Sequence, residues 1–301
     1  MGRKDLFIIA IGSVLFAFLL SNIFSNRASE IIISPLAENF EKAKNVLLPQ
    51  NSAQIKSIVD HELADSTGTY AIVIKNLKTH ETFTQNEDSS YEPASLYKLW
   101  VMAEAFKQIN EGTLLENKTM TREIAELNRI FKIAPVDAEA TSGAITRTVG
   151  EATQQMIVIS DNYSALLLAA QIGNTNIANF MQQLGLSNSK LGSPPITTAA
   201  DIALFYEKLY RGEVINKEYS DRMIEILAKQ QLNDRIPKYL PNNVSVAHKT
   251  GELGNFKHDA GIIFGKNPIL IVVLSETNSP QAAAERIAHL SKNVYYYFES
   301  K

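Results

Sequence analysis

The sequence predicts an α+β fold, with an antiparallel sheet flanked by N- and C-terminal helices and an inserted all-helical lobe at about residues 95–235. Strand-like alternation of apolar and polar residues occurs early in the main body and again after Pro241. Between these regions apolar residues recur at helical spacing, as at Leu96, Leu99 and Ala103. Strands at both ends of a body, with helices between them, favour a sheet and a separate helical lobe, and the seam between the two is the expected place for a pocket.

The strands and the last helix can be placed in chain order. Two strands, at 68–75 and 81–85, flank a short polar turn and predict a hairpin. The helix-rich stretch follows. The remaining predicted elements are three strands and a closing helix, at 244–249, 259–264, 269–275 and 280–298.

Composition excludes several classes of function. The 301 residues include 29 basic and 32 acidic side chains, for a net charge of −3, which argues against nucleic acid as a partner. The chain has no cysteine, so disulfides, thiolate zinc sites and a cysteine nucleophile are excluded. The five histidines show no metal-ligand spacing, and we expect neither a metal nor another cofactor. We expect a monomer.

The N-terminus carries a candidate membrane segment. Residues 6–24 hold no charge, and as a helix they would span about 28 Å, close to a bilayer core of ~30 Å. Two basic residues precede the segment, which favours an extracytoplasmic body. We therefore predict an N-terminal transmembrane anchor or signal segment at 1–25, a spacer at 26–50 and a single domain at 51–301. Cleavage would make the protein secreted, but the apolar run is longer than the ~7–15 residues usual in signal peptides.

A serine and a lysine form the first candidate motif. Ser95 and Lys98 match S-x-x-K, and on a helix positions i and i+3 share a face, so the hydroxyl lies beside the amine. A lysine can deprotonate a serine only if burial lowers its pKa. A second copy, Ser187 to Lys190, lies in a polar stretch that we interpret as a surface turn. An apolar helix follows Ser95 but not Ser187, which favours the first copy.

Two further motifs follow. Ser160, Asp161 and Asn162 open a predicted helix, and the residues Lys249, Thr250 and Gly251 end a predicted strand. Each has an ordinary structural explanation, since Ser and Asp cap helices and a lysine–threonine–glycine run suits an edge strand entering a turn. The order S-x-x-K, S-D-N, K-T-G is nevertheless the signature of penicillin-recognising serine enzymes.

On these three motifs the chain resembles the class A β-lactamase family and its penicillin-binding relatives from about residue 51 to the C-terminus. The resemblance implies that Ser95 attacks an amide carbonyl, that Lys98 takes its proton, and that Ser160 passes a proton to the departing nitrogen. It also implies that Asn162 orients Lys98 and the substrate amide. Lys249 would add positive charge beside Ser160 and, with Thr250, hold a substrate carboxylate. Gly251 would let the substrate backbone lie against the strand. The backbone N–H groups of Ser95 and Glu252 would donate to the oxyanion.

One departure from the family leaves the activity open. Class A enzymes carry a Glu on a loop between the second and third motifs, which activates the water that hydrolyses the acyl-enzyme. Here the 39 residues between Asp161 and Asp201 contain no Asp or Glu. We therefore expect a serine hydrolase that opens β-lactam amides with slow deacylation. The alternatives are a penicillin-binding D,D-peptidase acting on cell-wall peptides and a non-catalytic binding module with the same fold.

Overall fold

The computed structural model describes residues 52–301, so the predicted anchor at 1–25 and spacer at 26–50 lie outside the described residues. No helix within 52–301 is both long and apolar enough to cross a membrane. The strands are β1 (Thr69–Asn76), β2 (Thr82–Gln85), β3 (Thr119–Glu123), β4 (Ala144–Thr148), β5 (Val246–Leu253), β6 (Phe256–Ile263) and β7 (Ile269–Glu276). The α-helices are α1 (Ser52–Leu63), α2 (Lys98–Asn110), α3 (Ile124–Ile130), α4 (Val149–Val158), α5 (Asn162–Ile172), α6 (Asn174–Gln183), α7 (Ala199–Arg211), α8 (Lys217–Leu227) and α9 (Pro280–Glu299).

Five antiparallel strands form the main sheet in the order β2-β1-β7-β6-β5. The first strand of the domain therefore pairs with the last one, with Thr69 opposite Glu276. Strand β5 lies at an edge of this sheet. An edge strand has one row of unpaired backbone N–H and C=O groups, so β5 is placed to accept an extended ligand.

Both faces of the sheet are buried. The odd–even alternation of β1 sends Ile72 and Ile74 to the face covered by the terminal helices α1 and α9, where Phe298 is fully buried. Val73 points the other way, into the core of the helical lobe with Phe205 of α7. Burying a side chain as large as Phe298 contributes about 2 kcal/mol. The sheet is thus a rigid layer between its terminal helices and the lobe.

The α+β fold class is confirmed, and the structure adds detail that periodicity did not predict. The helical lobe also contains a two-stranded ribbon of β3 and β4. Within these strands only Met120 and Ile145 are buried, so the alternating apolar pattern that marks a strand is almost absent. The third motif lies inside β5 and not at the end of a strand, because β5 and β6 extend to a tight hairpin at residues 254–255.

Candidate active site

Ser95 lies in a short 3₁₀ turn (Ala94–Tyr97) that runs directly into α2, whose first residue is Lys98. Ala94 has a positive φ of 46°, a conformation that non-glycine residues adopt at some energetic disadvantage. The turn is closed by the Leu96 N–H, which donates to the carbonyl of Pro93 at 3.0 Å. Ser95 is half-buried and Lys98 is completely buried. The local backbone therefore presents the serine at the start of a helix with the lysine one turn behind it.

Ser160 lies where two lysines meet. It occupies the junction of α4 and α5 with a positive φ of 60°. Its Oγ accepts a hydrogen bond from Lys98 Nζ at 3.1 Å and another from Lys249 Nζ at 3.0 Å. The cap of α5 is the neighbouring Asp161, whose Oδ1 accepts from Ser164 N at 2.6 Å. Helix capping therefore explains Asp161 but leaves the Ser160 hydroxyl free for the lysines.

The Lys98 ammonium is enclosed by acceptors. Besides Ser160 Oγ, its Nζ donates to the Ser160 carbonyl and to Asn162 Oδ1, each at 2.6 Å. Burial lowers the pKa of Lys98 to about 8, although the charges of Asp161 and Glu139 act in the opposite direction. At pH 7 roughly a tenth of the molecules therefore carry a neutral Lys98 that can accept a proton.

Lys249, on β5, is the second buried lysine of the site. Its Nζ also donates to the carbonyl of Thr250 at 2.9 Å. Burial, reinforced by the charge of Lys98, holds the pKa of Lys249 well below its ordinary value. A hydroxyl has two lone pairs and one proton, so Ser160 can accept from both lysines and still donate its proton to a third group. That arrangement suits a proton relay.

Gly251 lets β5 approach the turn that carries Ser95. A Cβ at this position would stand 2.9 Å from the Pro93 carbonyl oxygen and 3.2 Å from Leu96 Cγ. Any larger residue would push the strand away from the turn. The backbone of the neighbouring residue Glu252 therefore lies close to the Ser95 turn. Thr250 is buried.

Glu139 is a site residue that the sequence did not reveal. Asn162 Nδ2 donates to Glu139 Oε1 at 2.6 Å, which fixes the amide with its oxygen toward Lys98. Glu139 is exposed and lies in an irregular segment between α3 and β4. No local pattern marks it, because its partner is 23 residues away along the chain.

The two histidines beside the third motif, His248 and His258, are buried. His258 Nε2 donates to the Glu92 carbonyl at 2.8 Å, since its Nδ1 accepts from the Ser275 N–H at 3.0 Å. Burial lowers the pKa of His258 to about 4, so the ring is neutral at physiological pH. It ties the segment before Ser95 to β6 and β7. His248 instead contacts the buried carboxylate of Asp259 at 2.9 Å.

The segment between α6 and α7 carries no carboxylate at the site. Together with Tyr97 of the first motif, several of its residues, among them Leu191 and Ser193, line a mainly apolar cavity of about 630 Å³. The first acidic residue downstream is Asp201, which is buried and accepts from the Asn188 N–H at 2.9 Å. The second S-x-x-K copy also lies in this irregular segment, away from any helix. Within residues 52–301, no group of three or more His, Asp or Glu side chains is placed to hold a metal ion.

The geometry thus brings four of the motif side chains into direct contact: Lys98, Ser160, Asn162 and Lys249. Ser95 precedes Lys98 by three residues in the same turn, but among residues 52–301 its Oγ makes no hydrogen bond to any of the four side chains. Gly251 lies against that turn through the packing of β5. The roles of these residues in catalysis stay predictions.

Comparisons with known proteins agree with this architecture. A β-lactamase from Sphaerobacter thermophilus superposes with a TM-score of 0.73 at 23% identity, covering 82% of this chain and 97% of that one. PBP-A superposes with a TM-score of 0.71 at 23% identity, covering 84% and 97%. A mutant of PBP-A, solved as an acyl-enzyme complex with penicillin G, gives 0.71 at 22% identity, covering 82% and 96%. At such identities the likeness shows the fold.

No curated protein matches the chain. The model of the beta-lactamase enzyme family matches residues 51–298, which is most of the sequence. The chain therefore belongs to the beta-lactamase enzyme family.

Proposed function

We propose that the protein is a serine hydrolase that opens the β-lactam amide through an acyl-enzyme on Ser95. The observation that carries this proposal is the pair of hydrogen bonds by which Ser160 joins the buried side chains of Lys98 and Lys249. It supplies a lysine with a lowered pKa and a hydroxyl whose proton is free to leave. Both are what acyl transfer from an amide requires.

Acylation follows from these contacts. Neutral Lys98 takes the Ser95 proton as Oγ bonds to the carbonyl carbon, and the backbone N–H groups of Ser95 and Glu252 stabilise the oxyanion. When the intermediate collapses, the C–N bond breaks and the nitrogen takes the proton of Ser160. Ser160 then recovers a proton from the Lys98 ammonium, which restores both groups. Lys249 donates a second hydrogen bond to Ser160 Oγ and so holds that hydroxyl in place.

Deacylation is the slow step in this proposal. Hydrolysis of the ester needs a base that activates water, and residues 162–200 contain no carboxylate. The cavity next to Tyr97 is lined largely by apolar side chains, which do not activate water. The acyl-enzyme should therefore persist.

The absence of a carboxylate from residues 162–200 also favours a second candidate, a penicillin-binding D,D-peptidase that acts on cell-wall peptides and is trapped by β-lactams. PBP-A, a structural relative, was solved in mutant form as an acyl-enzyme with penicillin G. In a peptidase, the edge strand β5 would pair with the peptide as an additional strand.

One experiment separates the candidates. The purified full-length chain is incubated with a fluorescent penicillin, and the adduct is followed by intact mass over time. Transient label on Ser95 supports a β-lactamase, and persistent label, with release of D-alanine from a cell-wall peptide, supports the peptidase. Ser95→Ala should abolish labelling, whereas Ser187→Ala, from the second S-x-x-K copy, should not. Absence of label on the native chain would contradict both candidates and leave the binding module.

We also propose that residues 1–25 anchor the protein in the membrane with its domain on the extracytoplasmic side. The support is the uncharged run at 6–24 and the basic residues before it. The placement is tested by membrane fractionation and by digestion with protease added outside the cytoplasmic membrane, which should cleave the domain. Recovery of the full-length chain in the cytosolic fraction would contradict it.

A further inference from the structure

Two cations converge on one carboxylate oxygen beside the third motif. Arg235 lies in the segment between α8 and β5, and its Nη2 donates to Glu252 Oε2 at 2.7 Å. Lys257 stands directly opposite Glu252 on β6, and its Nζ donates to the same oxygen at 2.5 Å. Asp234 lies farther away, at 3.5 Å from each cation. Glu252 is thus the principal anionic partner of both cations.

The two cations are buried, whereas the carboxylate is exposed to solvent. The Arg235 and Lys257 side chains are only 2% and 6% exposed, whereas the Glu252 side chain is 54% exposed. Arg235 Nη1 also donates to the His258 carbonyl at 3.4 Å, and its buried Nε has no hydrogen-bond partner among the described residues. A buried cation that has an unused donor and an exposed counter-ion can exchange that counter-ion for another anion.

Burial raises the pKa of Glu252, but the hydrogen bonds and charges of Lys257 and Arg235 outweigh this effect, and the pKa lies below its ordinary value. The side chain is therefore ionised at neutral pH. An ionised Glu252 competes directly with any other carboxylate for the two cations.

The position of the cluster connects it to substrate binding. Glu252 follows Gly251, which lies against the turn carrying Ser95, and its backbone N–H is an expected oxyanion donor. A ligand that extends along β5 from Ser95 passes this cluster. Its own carboxylate would then come within reach of Arg235 and Lys257.

We propose that the Glu252 side chain occupies the cationic site of Arg235 and Lys257 in the free protein and determines specificity by competing there with the substrate's carboxylate. This inference rests on the proposed function. A ligand that bears a carboxylate must exchange one ion pair for another, and its net gain is small. A ligand with a neutral group at that end leaves the Glu252 ion pairs intact, so its binding does not depend on the exchange.

The test compares acylation by benzylpenicillin with acylation by its methyl ester, which lacks the charge. For each protein the second-order rate constants give an acid-to-ester ratio. Glu252→Gln should raise this ratio about fivefold, the effect of removing one partly exposed ion-pair competitor. Arg235→Gln should lower the ratio. Asp60→Asn removes one negative charge on the exposed face of α1 and should not change it. A ratio that stays constant or falls in Glu252→Gln would overturn the proposal.

A second measurement separates this proposal from the function on which it rests. Hydrolysed benzylpenicillin keeps its carboxylates but cannot acylate, and its binding is followed by calorimetry. Glu252→Gln should bind it more tightly than the native chain, whether or not Ser95 reacts, and unchanged or weaker binding would count against competition at the cationic site. Absence of acylation together with tighter binding would reject the hydrolase but support the competition. Melting temperatures confirm that each variant is folded, since glutamine retains an oxygen acceptor for both cations.

Discussion

The pH dependence of acylation should move when the carboxylate behind Asn162 is removed. In the proposed mechanism Lys98 is the base and must be neutral, so acylation should rise with pH through its pKa of about 8 and level off above it. Asn162 links Lys98 to Glu139 by two hydrogen bonds of 2.6 Å. The negative charge of Glu139 favours the protonated lysine. Glu139→Gln should therefore lower the midpoint of the profile.

The expected size follows from the distance. The two hydrogen bonds and the amide between them place the Glu139 carboxylate roughly 7 Å from Lys98 Nζ, where a unit charge contributes about 1 kcal/mol at an effective dielectric constant of ~50. The midpoint should accordingly fall by about 0.5–1 pH unit. At pH 7 more of the lysine is neutral, and acylation should become about threefold faster.

The assay is the rate of penicillin adduct formation between pH 5.5 and 10 under single-turnover conditions. The matched control is Asp137→Asn, which removes the same charge from an exposed residue of the same segment. Among residues 52–301 the Asp137 side chain forms no hydrogen bond or ion pair. A midpoint that stays constant or rises in Glu139→Gln would refute the reasoning. So would an equal shift in Asp137→Asn, because the effect would then be a general change in charge.

Three other changes test the rest of the site. Ser193→Glu places a carboxylate on the wall of the cavity beside the first motif and should shorten the lifetime of the adduct about tenfold or more. Ser193→Gln is the neutral control. Equal lifetimes in both variants would contradict the idea that deacylation is slow because a base is missing. Gly251→Ala should slow acylation at least about tenfold, because its Cβ meets a backbone carbonyl at 2.9 Å. Gly265→Ala, whose Cβ meets only a side-chain end at 3.3 Å, should be near native, and equal losses would argue against a local effect. Ser160→Ala removes the acceptor shared by the two lysines and should slow acylation about 100-fold, and a rate like that of Ser187→Ala would exclude the relay.

The sequence predicted those parts of the site that are encoded by neighbouring residues. Ser95 and Lys98 are one helical turn apart, and Ser160 with Asn162 opens a helix, so short motifs identify them. Which side chains complete the site depends on distant contacts. Glu139 meets Asn162, and Arg235 meets Glu252, only because the folded chain brings separate segments together.

The fold was predicted to a similar extent. Strands buried on both faces, such as β7, carry continuous apolar runs that periodicity detects. The ribbon of β3 and β4 has one buried residue in each strand, so its sequence resembles an exposed loop. Strand β5 extends four residues farther than predicted because its polar end pairs with β6, and pairing does not require apolar residues.

The pairing of β1 with β7 has a consequence for synthesis on the ribosome. A growing chain can build the helical lobe early, but β1 cannot pair with β7 until the segment around Ile271 has emerged. Lys249, which contacts Ser160, and His258, which holds the segment before Ser95, belong to that same late segment. A nascent or truncated chain should hence not react with penicillin, and labelling by penicillin would indicate that the whole domain has been made.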